Sequence, residues 1–146
     1  MANAALKARE ISAQYPEAVV LGADTLVALG GEIMGKPYDT EDAICMLESL
    51  SGRVHEVCTG VCICCGTEEQ VFFAVTWVRF RNFGQDLIRD YMEGVNVMDK
   101  AGAYAIQEQG EMLVNKVEGS FDNVVGLPME QVAGELEQFG ILPNRP

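Results

Sequence analysis

At 146 residues the chain is long enough to bury a core as one domain, and 49% apolar with 22% charged residues is an ordinary globular balance. Ten Lys and Arg against 22 Asp and Glu give a net charge of −12, which excludes a protein that grips a nucleic-acid polymer through its phosphates, because that contact needs a basic face. No apolar run approaches the roughly 18 residues of a membrane span, and the opening MANAALKAREI has no signal-peptide core, so neither a membrane nor a nucleic acid is an expected partner.

Residues 2–14 have helical composition, with Ala5, Leu6 and Ile11 toward one face, Lys7, Arg9 and Glu10 among the polar positions, and Pro16 as the stop. Ala18-Val19-Val20-Leu21 reads as a short buried strand closed by Gly22. Thr25 to Leu29 reads as a second strand, turned by Gly30-Gly31 into Glu32-Ile33-Met34. Asp39 or Thr40 caps a helix to about Leu50, with Ala43, Leu47 and Leu50 inward and Gly52 beyond its end. Val57–Cys65 and Val71–Phe80 are β-branched and aromatic runs around Gly66-Thr67-Glu68-Glu69, a second hairpin. Asn82 caps a helix whose stripe is Leu87, Ile88, Tyr91 and Met92. Ala101–Ile106 and Met112–Val117 read as strands, and Pro128 opens a last helix with Val132, Leu136 and Phe139 inward. With no repeat, low-complexity stretch or linker, residues 1–146 are expected to form a single α/β domain with a mixed sheet.

The cysteines Cys45, Cys58, Cys62, Cys64 and Cys65 are odd in number and cluster in one apolar run, unlike a secreted disulfide framework. They read as buried reduced thiols, which implies a cytoplasmic chain. Cys58, Cys62 and Cys64 share strand parity, but a metal module there would want a CxxC-type pair and histidine, and the one histidine is His55.

Four segments carry candidate chemistry. In Gly22-Ala23-Asp24-Thr25 a carboxylate at the end of a buried strand suits a metal ligand or a general base, and equally a turn. In Gly35-Lys36-Pro37 the lysine is either a positioned cation for a phosphate oxygen or an exposed loop residue, and the spacing is not that of a P-loop. The run from Asp99 to Gln107 carries an ion pair into a small-residue strand ending in an amide able to read a base edge, with a surface ion pair as the alternative. Gly119 to Pro128 leads into a helix N-terminus.

Taken in order, VVLGADTLV, MGKP, LSGRVHEVCTGV, DKAGAYAIQ and VEGSFDNVVGLP resemble the Maf family of nucleotide pyrophosphatases, over about Leu6 to about Phe139. The resemblance implies hydrolysis of a nucleoside triphosphate to the monophosphate and pyrophosphate with Mg2+ or another divalent ion. It implies a fold like that of the inosine-triphosphate pyrophosphatases, a bent mixed β-sheet with flanking helices and a cleft between two lobes. By motif, Asp24 is the catalytic carboxylate and metal ligand. Lys7 and Lys36 meet phosphate oxygens, Thr25 and Gln107 belong to base recognition, and Asp99 and Lys100 line the cleft nearby. Asp24-Thr25 with Lys100–Tyr104 is closer in wording to the subgroup acting on dTTP, UTP and related pyrimidine nucleotides than to the 7-methyl-GTP subgroup.

Family members open with an apolar strand and a Ser- and Arg-containing phosphate loop, and this sequence is expected to lack both. A second expectation follows: a catalytically impaired Maf-like chain that binds nucleotide, or a partner in cell-division control. The resemblance further implies a homodimer, and either removal of non-standard nucleotides or arrest of septum formation as the cellular role. Glu108-Gln109-Gly110-Glu111 is more acidic than the family's usual glycine-rich turn.

Overall fold

Short glycine turns organise most of the strands. Gly30 and Gly31 both take the left-handed backbone (φ 59° and 85°) and join β1 (Val20–Leu29) to β2 (Glu32–Met34). Gly66 (φ 60°) does the same between β3 (Val54–Cys65) and β4 (Glu68–Phe80). The remaining elements are α1 (Ala2–Gln14), α2 (Thr40–Leu50), α3 (Gln85–Gly94), β5 (Val114–Glu118), α4 (Phe121–Val125) and α5 (Met129–Gln138). This is a computed structural model, and it describes residues 2–142. The five strands form one sheet in the order β2-β1-β3-β4-β5.

The β1–β2 and β4–β5 pairings are antiparallel, in registers such as Ala28 opposite Ile33 and Val78 opposite Val117. The hairpin expected around Gly30-Gly31 is present as the β1–β2 pair. A two-residue turn joins only antiparallel neighbours, whereas a parallel one needs a long crossover. Two expectations change. Gly22 does not end a strand, since β1 runs through it from Val20 to Leu29. Ala101–Ile106 is not a strand, because Ala101–Ala103 is a 3-10 turn in which Gly102 (φ 72°) and Ala103 (φ 64°) are both left-handed. Successive positive φ angles break the extended backbone that a ladder requires.

By internal contacts the chain divides into two compact units, Met1–Thr25 with Thr59–Ala74 and Gly126–Pro146, and Leu26–Cys58 with Val75–Val125. In the first unit β3 is buried on both faces, which explains its unbroken Val61-Cys62-Ile63-Cys64 run. Cys62 and Cys64 pack with Ala4, Ala5 and Ala8 of α1, while the alternate residues Val61 and Ile63 pack with Val132, Leu136 and Phe139 of α5 and its exit. The inward face of α1 is therefore alanine, and of the residues the sequence sets toward one face Ala5 is buried while the larger Leu6 and Ile11 are 62% and 46% exposed. Gly22 is the cause: a Cβ there would lie 2.5 Å from the Ala4 carbonyl oxygen and 3.0 Å from the Ala8 nitrogen. Backbones this close leave room only for small side chains.

In the second unit α2 begins at the Asp39 cap, whose side chain accepts from the Asp42 N–H at 2.8 Å. Its Leu47 and Leu50 join Val57, Val78, Phe80, Ile88, Tyr91 and Leu113 in the core. α3 starts at Gln85 after Gly84, so Asn82 is not its cap; the Asn82 side chain instead lies against Gly52.

His55, 1% exposed, stacks edge-on against Phe80 (4.8 Å between centroids), and its Nε2 shares a 2.6 Å hydrogen bond with the Tyr104 hydroxyl. Burial pushes its pKa down from 6.5 to about 4. Between these values the unfolded chain holds a proton that the folded chain does not, so stability is complete above the unfolded pKa and falls as pH drops through the window. We expect a loss on the order of 3 kcal/mol across it. Urea unfolding above and below that window should show the loss in the wild type, and a markedly flatter dependence in His55→Gln.

Candidate active site

In the first unit Asp24 lies on β1, two residues after the glycine on which α1 docks. That docking sets Asn3 and Lys7, one helical turn apart and hence on one face, over the carboxylate. Asn3 Nδ2 donates to Asp24 Oδ2 at 3.2 Å, and Lys7 Nζ reaches Asp24 Oδ1 and the Ala23 carbonyl oxygen at 3.5 Å each. The Asp24 side chain keeps 25% of its surface accessible. It is held by neighbours yet open on one side. Thr25 points to a different environment: its Oγ1 is 2.9 Å from Thr59 Oγ1 and donates to the Gly126 carbonyl oxygen at 3.4 Å. Lys7 therefore stands at the carboxylate in this structure, and Thr25 is tied to the end of the Gly119–Pro128 segment.

In the second unit the Lys36 and Asp99–Gln107 segments come together. The Gly102 N–H donates to the Gly35 carbonyl oxygen at 3.1 Å, which pins the lysine loop to the 3-10 turn. A side chain at Gly102 would meet Val27 Cγ1 at 3.1 Å, so close approach and positive φ both call for glycine there. Lys36 is exposed.

Lys100 differs from Lys36. Its ammonium reaches the Asn96 carbonyl oxygen at 2.8 Å, Asp99 Oδ1 at 3.0 Å and Glu108 Oε2 at 3.1 Å, three acceptors for its three N–H groups. Burial pulls its pKa down, but the hydrogen bonds to Asp99 and Glu108 outweigh this and the net shift is upward. The Lys100 hydrogen bond holds the Asp99 carboxyl below its ordinary range; the charge of Lys100 adds to this and that of Lys36 contributes weakly. Lys100 thus ties the loop together, and Lys36 is the cation left facing outward. Gln107 is exposed in the turn that follows.

Several participants were not singled out from the sequence. Asn3 was legible in principle, lying four positions before Lys7 on a helix. Glu108 sits in the acidic run that read as a deviation, and closes the lysine's third bond. Asn123, fully buried, donates through Nδ2 to the Val57 carbonyl oxygen at 3.2 Å and to Thr76 Oγ1 at 3.1 Å, and so anchors α4 to the second unit's strands. A lone Asn in a loop-like stretch carries no sequence signal of that role.

A divalent cation implied by the resemblance fits Asp24 on chemical grounds. Mg2+ keeps several waters and takes one or two carboxylates plus substrate phosphate oxygens, not a protein cage. One accessible carboxylate, with no second acid among its described hydrogen-bond partners, suits that pattern.

The fold is that of an α/β protein, with a partly exposed carboxylate braced by an amide and an amine in its first unit and an exposed lysine on a pinned glycine loop in its second. The sequence profile of the Maf-like protein family matches residues 1–139, and the chain belongs to that family. It is 49% identical to a dTTP/UTP pyrophosphatase of Akkermansia muciniphila, over 94% of this chain and 73% of that protein. It is 48% identical to one of Symbiobacterium thermophilum (92% and 69%) and 46% identical to one of Thermococcus kodakarensis (92% and 71%), both of the same name. Among the described residues no helix is long and apolar enough to cross a membrane.

Proposed function

We propose that the chain is a nucleoside triphosphate pyrophosphatase that hydrolyses dTTP and UTP to the monophosphate and pyrophosphate. The observation that carries this reading is its similarity, across 94% of its length, to a protein of that activity by name. The bond broken is the anhydride between the first and second phosphates. Asp24 orients the attacking water and accepts the proton it loses, with Asn3 and Lys7 holding the carboxylate in one orientation. Bound at Asp24, a divalent ion such as Mg2+ supplies charge neutralisation for the departing pyrophosphate. Lys36 binds phosphate oxygen directly. Asp99 and Lys100 position the loop that carries it, and Thr25 and Gln107 serve base selection.

Incubation with dTTP and UTP in the presence of Mg2+ should release pyrophosphate and no free phosphate. Saturable nucleotide binding without turnover would replace the hydrolase by a nucleotide-binding protein. Lys36→Ala should lower kcat/KM by about ten- to a hundredfold, the scale of one lost hydrogen bond to a charged group. Lys36→Arg should restore most of it. An Ala variant as active as the wild type would remove Lys36 from substrate binding.

A further inference from the structure

A second cluster in the first unit takes no part in the proposed reaction. Cys62 and Cys64, two apart on β3, face the same side. Both are buried under the alanines of α1, with their sulfurs 3.4 Å apart. Glu69 comes from the start of β4, across the Gly66 turn, and its carboxylate and both sulfurs lie within 4.8 Å of one another. Arg9 of α1 holds that carboxylate by two hydrogen bonds, at 2.6 and 2.9 Å.

We propose that Cys62, Cys64 and Glu69 form a binding site for a borderline-soft divalent cation of the zinc type, distinct from the hard-cation chemistry of Asp24. Three observations support this. The donor set, two sulfurs and one carboxylate oxygen, is one that zinc accepts and magnesium does not. The spacing is near what is needed, because a tetrahedral ion at ~2.3 Å from each sulfur holds the pair about 3.8 Å apart. The thiols need part by only a few tenths of an ångström. Charge is the third: two thiolates, the Glu69 carboxylate, the Arg9 guanidinium and a divalent ion together carry no net charge. Each thiol gives its proton to solvent as the metal–sulfur bond forms, so the ion enters without leaving uncompensated charge beside a buried strand. Arg9 keeps its hydrogen bonds and orients the carboxylate from behind, as partners of metal-bound carboxylates do. Water completes the coordination from the exposed side of Glu69.

The full chain, reduced and freed of metal, would be titrated with Co2+ in the absence of nucleotide. The expected result is one equivalent bound, with a thiolate-to-cobalt charge-transfer band and the strong visible absorption of a tetrahedral site, displaced by Zn2+. Cys62→Ser and Cys64→Ser should each abolish the band, and Cys45→Ser should leave it intact. Glu69→Gln, a change at the protein surface that leaves the core alone, should weaken binding by at least about tenfold. Absence of the band in saturating Co2+, its persistence in Cys62→Ser, or unchanged affinity in Glu69→Gln overturns the site. Because the readout is spectroscopic and needs no substrate, its failure is separate from any failure of the pyrophosphatase reading.

Discussion

Asp24→Asn is expected to lower the rate of pyrophosphate release from dTTP and UTP by at least about a hundredfold, the lower end of what a positioned acid–base group contributes. The substitution keeps shape and volume and removes only the charge and the proton-accepting oxygen. Asn3 and Lys7 remain where α1 places them, so the fold should be unaffected. The loss should fall mainly on kcat, since this carboxylate acts on water and on the charge of the leaving group. A control melt that matches the wild type would assign the loss to chemistry and not to unfolding. Equal turnover by the two proteins would remove Asp24 from the reaction and leave the family resemblance without its central residue.

Gly22→Val is expected to have the largest effect on stability. Even the first added carbon would lie 2.5 Å from the Ala4 carbonyl oxygen, which is backbone and has no rotamer by which to escape. Either α1 lifts from β1 or β1 distorts. Overpacking of this kind costs about 1–3 kcal/mol, and the branched side chain belongs at the upper end. The consequence extends to function, because α1 also carries the two residues that brace Asp24. Denaturant unfolding should show the destabilisation, and pyrophosphate release should drop even at temperatures where the chain remains folded. A variant that melts with the wild type would mean that the helix does not dock as described. Ala4→Gly, at the same contact, should be milder, because it adds no volume there.

These expectations draw on information of two different depths. Asp39 before Thr40, Gly52 after Leu50, and the stripe Leu87, Ile88, Tyr91 and Met92 announce their helices by local rules, and α2 and α3 follow them closely. The Gly30-Gly31 and Gly66-Thr67 turns mark both hairpins, since glycine takes the left-handed angles of Gly30, Gly31 and Gly66 at the least steric cost. The small-residue run after Lys100 misled for the same local reason. Ala101–Ile106 has no feature that forbids a strand, and its left-handed turn is imposed by packing against Val27 and the bond to Gly35. On α1 the sequence sets Leu6 and Ile11 toward the same face as Ala5, but the close backbone contact at Gly22 selects the alanines as the buried side chains and leaves the two larger ones exposed.

What the sequence by itself determined is the family, the helices and hairpins, and the short roll of charged residues on which the proposed chemistry rests. Each of these is written in local chemistry, in caps, turns and five ordered motifs. The tertiary structure decided which of two neighbouring lysines is occupied and which is available. Lys100 is surrounded by Asn96, Asp99 and Glu108, while Lys36 faces outward. It also decided that Asn3 belongs with Asp24, and that Glu69 closes on Cys62 and Cys64. Such pairings depend on how a helix lies against a strand or where a hairpin folds back. Contacts between residues distant in sequence leave no trace in the local pattern.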